Sequence, residues 1–159
     1  MLRVTQVSSN AFVVTRVRVS VFAYATEDEG KVERALRNII PRDVGDLRID
    51  TQRLTGHYHD PITIVNAVIR KNEVATKLFR LTIKNLLTLD QQRLLEEVEE
   101  RVDKAGVLYL RLDKQGAFRN KRVLNEVDPI LMRFRFRIPH GANPVSYVRS
   151  SITAVINEV

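Results

Sequence analysis

FVVTRVRVSVFAYA, residues 12–25, alternates apolar and polar side chains along its length and decides the fold class. A period of two is typical of a strand with one buried face. The predicted buried face carries Val13, Thr15, Val17, Val19, Val21 and Ala23. The opposite face carries Arg16, Arg18 and Ser20. Such a strand needs neighbouring strands and a covering layer of helices.

Four further segments have the character of strands. They are Leu47–Leu54, Ile62–Arg70, Val107–Leu112 and Ile130–Ile138. The second is rich in β-branched residues and follows Asp60-Pro61, while the last, ILMRFRFRI, alternates as strictly as the first strand. The sequence therefore predicts a sheet built from several strands.

Helical patterns fill the chain between the predicted strands. Thr26-Glu27-Asp28-Glu29 has the form of a capping box, which predicts a helix with Thr26 as its cap that ends before Pro41. Further helices are predicted over Asn72–Leu87, from a second cap signal at Thr88 through the apolar stripe Leu94, Leu95, Val98 and Val102, and from Asn143-Pro144 onward. No repeat or linker divides the chain, so one α+β domain over residues 1–159 is predicted.

Composition excludes several classes of protein. The 159 residues include 44% hydrophobic and 28% charged side chains, which favours a globular chain over a disordered one. There is no cysteine, so disulfide scaffolds, thiol nucleophiles and iron–sulfur clusters are excluded. No uncharged apolar run approaches the roughly 20 residues that cross a bilayer. We expect a cytoplasmic protein without a membrane partner.

The usual signatures of catalysis are also missing. No two of the six glycines lie closer than ten positions, so neither a Walker loop nor a G-x-G-x-x-G turn is present. Carboxylates such as Glu27 and Asp128 have simpler roles, the first beside a helix N-terminus and the second before Pro129 in a turn. We expect no catalytic residue and no cofactor.

The segment Gly-His-Tyr-His-Asp-Pro leaves two interpretations open. His57 and His59 could share a face and bind a metal together with Asp60, as in a metal-dependent hydrolase. The alternative is a polar loop between two strands, because glycine and proline bracket the segment. The loop is favoured, and no metal site is expected.

Arginine at strand spacing is the most informative feature. The formal net charge is +7, and residues 101–137 hold ten basic against four acidic side chains. Alternation places Arg133, Arg135 and Arg137 on one face of a strand, as it does Arg16 with Arg18 and Tyr109 with Arg111. These faces would either bind a polyanion or simply keep a sheet edge soluble. Binding to RNA is favoured, because the sequence offers no recognition helix for DNA.

A basic segment between the last two strands predicts further contacts. We interpret residues 114–122 as a β-turn whose exposed donors reach phosphates or base edges. These donors are Lys114, Gln115, Arg119, Lys121 and Arg122.

Four segments together resemble a known family. They are VFAYATEDEGKVERALRNIIP at residues 21–41, GHYHDPI at residues 56–62, LYLRLDKQGAFRNKRVL at residues 108–124 and DPILMRFRFRI at residues 128–138. They resemble the archaeal RNA-binding family described as a predicted exosome-associated subunit, whose members are similar in fold to the large-subunit ribosomal protein that binds 5S RNA. The resemblance covers about residues 13–138 and implies a mainly antiparallel sheet with helices on one face.

The chain departs from the family pattern in two loops. The pattern has Gly-Asn where this chain has His59-Asp60, and it has a glycine near Arg119-Asn120. The helix at residues 143–157 lies outside the resemblance and is expected as an added element that packs on the core or on a partner.

Together these features predict a non-catalytic RNA-binding protein that acts in RNA processing or degradation, in association with the exosome, or on ribosomal RNA. Exosome or ribosome-associated proteins and a second copy of the chain are the other expected partners. The alternative is a protein-interaction or scaffold subunit that docks through the apolar stripe of its last helix, around Val145, Ile152 and Ile156.

Overall fold

The computed structural model describes residues 12–44 and 47–158 and confirms the α+β class. The strands are β1 (Val14–Tyr24), β2 (Ile49–Thr55), β3 (Pro61–Ile69), β4 (Val107–Leu112) and β5 (Ile130–Phe136). The helices of these residues are α1 (Glu29–Asn38), α2 (Asn72–Asn85), α3 (Thr88–Glu96), α4 (Val98–Arg101), α5 (Lys114–Phe118) and α6 (Pro144–Ile156), with a 3₁₀ turn at Arg42–Val44.

The five strands form one sheet in the order β2-β3-β1-β5-β4, and every neighbouring pair is antiparallel. β1 therefore lies at the centre of the sheet. Its buried face carries Val17, Val19 and Val21, and α1 and α2 pack against this strand. Phe79 of α2 meets Phe134 and Phe136 of β5 edge-on, with ring centroids 5.5 and 4.9 Å apart. The core thus lies between the sheet and its helices.

The start of β1 differs from the predicted alternation. The pairing of β1 with β5 shifts by one residue between Val14 and Arg16, which is a β-bulge. Because the extra residue reverses the alternation, Val14 is buried, whereas Val13 and Thr15 are only half-buried. The prediction that Val13 and Thr15 lie on the buried face is therefore wrong. The Thr76 hydroxyl accepts a hydrogen bond from the Val14 N–H at 3.0 Å, which holds the irregular start of the strand against α2.

Two of the three predicted helix caps are wrong. Asp28, not Thr26, caps α1, and its Oδ1 accepts a hydrogen bond from the Lys31 N–H at 3.2 Å. Thr88 lies inside α3, which has no side-chain cap. Asn143 does cap α6, where its Oδ1 accepts from the Ser146 N–H at 3.0 Å. The first error arises because Thr and Asp both favour a cap position and lie two residues apart here. In the second, the N-cap residue is the apolar Leu87, so α3 begins without the side-chain hydrogen bond that Thr88 was expected to supply.

The predicted helix after Thr88 is divided at Glu97 into α3 and α4. Leu94 and Val98 are buried on either side of the break. The break redirects the chain so that Val102 pairs with Leu108 at the edge of β4. The apolar stripe that predicted one helix is therefore divided between two short helices, α3 and α4.

The last helix packs inside the fold. Val148, Ile152 and Val155 of α6 are buried in the common core, against α2, α3 and α4. Of the two expectations for this helix, packing on the core is the one observed. No helix in the described ranges is long and apolar enough to cross a membrane.

Candidate nucleic-acid interface

The face of the sheet opposite its helices, here called the open face, brings arginines from two strands together. Arg18 of β1 lies directly across from Arg133 of β5, and Arg16 lies across from Arg135. Residues opposite each other on neighbouring strands have Cβ atoms roughly 4.5–5.5 Å apart. These four residues are called the arginine cluster. Arg137 continues it beyond the end of β5, where its N–H donates to the Val13 carbonyl at 2.9 Å.

The arginine cluster is not neutralised by acidic neighbours. Within residues 12–44 and 47–158, none of the ion pairs closer than 4.0 Å involves the cluster or Arg137. Arg18 and Arg135 are exposed, while Arg16 and Arg133 are half-buried. Like charges opposite each other destabilise a sheet, so this arrangement carries a cost that an anionic ligand would remove.

Arg133 is held in place by its neighbour on β4. Its guanidinium carbon lies 5.9 Å from the centre of the Tyr109 ring. The Tyr109 hydroxyl donates to Asp103 Oδ2 at 3.0 Å, and this hydrogen bond raises the pKa of Tyr109. The Nε–H of Arg133 is buried without a hydrogen-bond acceptor. Tyr109 therefore positions the arginine rather than presenting a free ring.

Arg111, the arginine of β4, lies in a different environment. Its Nε is 3.8 Å from Glu126 Oε2. Glu126 also binds Arg101, with Nη2 and Oε1 2.8 Å apart. Arg111 is thus on the open face but shares a carboxylate, unlike the arginine cluster.

The basic segment 114–122 is not the predicted β-turn. Residues 114–118 form the short helix α5, capped by Asp113, whose Oδ2 accepts from the Gly116 N–H at 2.8 Å. Lys114 is buried, and its Nζ lies 3.0 Å from Glu27 Oε1 and 2.7 Å from Asp128 Oδ2. The expectation of an exposed donor is wrong at Lys114, because two carboxylates enclose it.

The other donors of this segment remain near the surface. Gln115, Arg119 and Lys121 are exposed, whereas Arg122 is half-buried. Burial lowers the pKa of the Arg122 guanidinium, and its Nη2 donates to the Asn38 carbonyl of α1 at 3.4 Å. Asn38 in turn donates to the carbonyl of Ala117 at 3.2 Å. The segment packs on α1, so it does not join the arginine cluster on β1 and β5.

Two aromatic residues on the open face were not among the sequence-predicted site residues. Phe22 and Tyr24 of β1 are 45% and 40% exposed, with ring centroids 6.3 Å apart. Alternation already places them on the face that carries Arg16 and Arg18, so the signal is present in the sequence. A shallow depression of about 590 Å³ lies on this face and is lined by Arg18 and Arg133 as well as by both aromatic rings. It joins a charged end, at the two arginines, to an aromatic end, at Phe22 and Tyr24.

The histidine segment forms the loop between β2 and β3. His57 and His59 are exposed, and His59 has a left-handed backbone with φ of 64°. Among the residues that the structure describes, no three His, Asp or Glu side chains are grouped to hold a metal ion. The loop interpretation fits this placement.

Comparison with known proteins places these features in a family. A sequence model of the family described as RNA binding matches residues 16–136. The RNA-binding protein PAB1135 of Pyrococcus abyssi is 30% identical over 118 residues, which are 72% of this chain and 76% of that protein. The uncharacterized protein MJ0213 of Methanocaldococcus jannaschii is 32% identical over 127 residues, 77% of this chain and 84% of that protein.

A solved structure agrees with the fold. The crystal structure of protein AF2318 from Archaeglobus fulgidus, of the family DUF54, superposes with a TM-score of 0.75 at 26% identity. The match covers 87% of this chain and 99% of that one.

Proposed function

This chain belongs to the family described as RNA binding, and on that premise we propose that it is a non-catalytic protein that holds the RNA backbone on its open face. The observation that carries the proposal is the arginine cluster: two cross-strand arginine pairs without a carboxylate within ion-pair distance among the described residues. A guanidinium presents several donors in a planar fork that matches phosphate oxygens. The repulsion between these arginines destabilises the sheet without RNA, and bound phosphates would neutralise the same charges.

A matched pair of double variants tests the proposal. Arg18→Gln with Arg135→Gln removes two exposed members of the arginine cluster, one from each strand. Arg34→Gln with Arg149→Gln removes the same charge from exposed positions on α1 and α6. Fluorescence anisotropy with a labelled RNA should show that the first variant binds at least about 10-fold more weakly and the second within about 2-fold of wild type. Equal losses of RNA affinity in both variants would show that binding depends only on the net charge of the protein, and would overturn the proposed interface.

We further propose that the RNA is one handled in RNA processing or degradation, with the exosome as partner, or ribosomal RNA. The support for this role is the resemblance of the four sequence segments, whereas the name of the Pyrococcus relative supports RNA binding alone. Pull-down with purified exosome core tests the first role, and competition between 5S ribosomal RNA and an unrelated RNA of equal length tests the second. Absence of capture together with equal competition would contradict both.

The scaffold alternative loses its main support, because Ile152 of the apolar stripe of α6 is buried in the core, and Val145 and Ile156 are partly buried against it. A homodimer stays a prediction. Sedimentation equilibrium over a range of concentrations checks it, and a constant monomer mass would contradict it.

A further inference from the structure

We propose that the open face takes unpaired nucleobases on Phe22 and Tyr24, so that the RNA segment bound there is single-stranded. This inference rests on the proposed RNA-binding function and adds the class of RNA. Arginines supply charge for any polyanion, whereas exposed aromatic rings supply a surface that only a base with a free π-face can use.

The two rings lie on the same strand as half of the arginine cluster. Phe22 is four residues beyond Arg18 on β1, which places the two side chains roughly 13 Å apart along the strand. In the pairing of β1 with β3, Phe22 lies opposite Ile64 and Tyr24 lies opposite Ile62. Each ring therefore has an aliphatic side chain as its neighbour on β3. The shallow depression that includes Arg18, Arg133 and both rings makes the charged and aromatic ends continuous.

Tyr24 is fixed before any ligand arrives. The Lys114 ammonium lies 5.1 Å from the centre of its ring, and Glu27 Oε1 accepts from the Tyr24 N–H at 3.1 Å. The same Glu27 binds Lys114, so the ring, the cation and the carboxylate form one connected group. A ring held in this way loses little side-chain entropy when a base stacks on it.

The paired bases inside an RNA duplex are not available to stack on Phe22 and Tyr24. In an A-form helix the bases stack on each other, and proteins contact mainly phosphates and 2′-hydroxyls. Between the two ends, Ser20 and Asn66 lie opposite each other on β1 and β3 and line the depression. Their side chains offer donors and acceptors to the edge of an unstacked base. The arginines would bind the phosphates of a duplex and of a single strand alike. The aromatic end favours the single strand, because its unpaired bases can stack on the rings.

A tryptophan reporter tests the inference directly, because the chain has no tryptophan of its own. In Phe22→Trp, a single-stranded RNA oligonucleotide should quench the fluorescence on binding, whereas polyphosphate, a polyanion without bases, should bind to the arginines and leave the spectrum unchanged. An identical change with both ligands, or anisotropy-detected RNA binding without quenching, would overturn the stacking role.

A second pair of variants separates this inference from the proposed function. Phe22→Leu with Tyr24→Leu should weaken single-stranded RNA at least about 5-fold and leave duplex RNA and polyphosphate unchanged. Leu89→Ala, at a 78% exposed apolar position of α3, is the control and should change none of the three. Unchanged single-strand affinity in the aromatic variant defeats the inference but leaves RNA binding intact. Unchanged affinity in the Arg18/Arg135 variant defeats the proposed function itself.

Discussion

Lys114 is buried, so it is not an exposed RNA contact, but it holds the ring of Tyr24 on the open face. Its ammonium is buried between Glu27 and Asp128 and lies beside the ring of Tyr24. Glu27 is 87 positions away in sequence, so no local pattern reveals the pair. Lysine in a basic segment is typical of an exposed donor, which is why the sequence predicted one.

Replacing Lys114 should therefore cost stability rather than charge-driven affinity. Lys114→Met leaves two partly solvated carboxylates unpaired, and we expect a loss of about 2 kcal/mol in the free energy of unfolding, measured by urea denaturation. Duplex RNA affinity should stay within about 2-fold of wild type. A large loss of duplex affinity with unchanged stability would return Lys114 to the set of direct RNA contacts.

His59 occupies a backbone conformation that suits glycine, with φ of 64°. Left-handed backbone costs roughly 1–2 kcal/mol for a residue with a side chain, partly offset by the greater unfolded-state freedom of glycine. We expect His59→Gly to stabilise the protein by about 0.5 kcal/mol, seen as a higher urea midpoint. A lower midpoint would mean that the imidazole contributes contacts that compensate for its strain.

At the scale of elements, periodicity predicts what alternation and amphipathicity encode. β1, β5 and their arginine-bearing faces follow from a period of two, and the extents of α2 and α6 follow from apolar spacing. The bulge near Thr15 and the break at Glu97 do not follow, because each depends on neighbouring elements: α2 at Thr76 for the first, and β4 at Leu108 for the second.

Pairing arginines across β1 and β5 should cost folding stability. Arg18→Thr removes the repulsion opposite Arg133 and adds a residue that favours strands, so we expect a gain of about 0.2–1 kcal/mol at low salt. The gain should shrink as salt screens the arginines of the wild type. Urea denaturation at two salt concentrations measures it; destabilisation at low salt would show that Arg18 makes a stabilising contact.

The junction between α3 and α4 should give the protein an acid-sensitive contribution to stability. Hydrogen bonds from Arg93 and then Arg101 lower the pKa of Glu97. A carboxyl with a depressed folded-state pKa stabilises fully above its unfolded pKa of about 4.3, and this stabilisation is lost as pH falls through the folded value.

Glu97→Gln should accordingly cost about 1 kcal/mol at pH 7, and the difference from wild type should shrink as the pH falls below the unfolded pKa of about 4.3. Denaturation across this pH range measures it. A constant difference at all pH values would assign the effect to packing instead of charge.

At the scale of the whole molecule, helices cover one face of the sheet and leave the other face exposed to solvent. Helices cover the side that carries Val17 and Phe134, and the other side carries the arginine cluster and the aromatic pair. Sequence periodicity predicts two such strand faces but not their adjacency, because β1 and β5 are separated by most of the chain and meet only through long-range pairing. That adjacency turns scattered arginines into one surface.

The salt dependence of RNA binding tests this central claim most directly. For single-stranded RNA, each phosphate neutralised contributes about −0.7 to the slope of log K against log salt concentration. The Arg18/Arg135→Gln variant should therefore bind single-stranded RNA with a slope shallower than that of wild type by about 1.4, while the Arg34/Arg149→Gln control keeps the wild-type slope. Equal slopes for wild type and the Arg18/Arg135 variant would contradict the account.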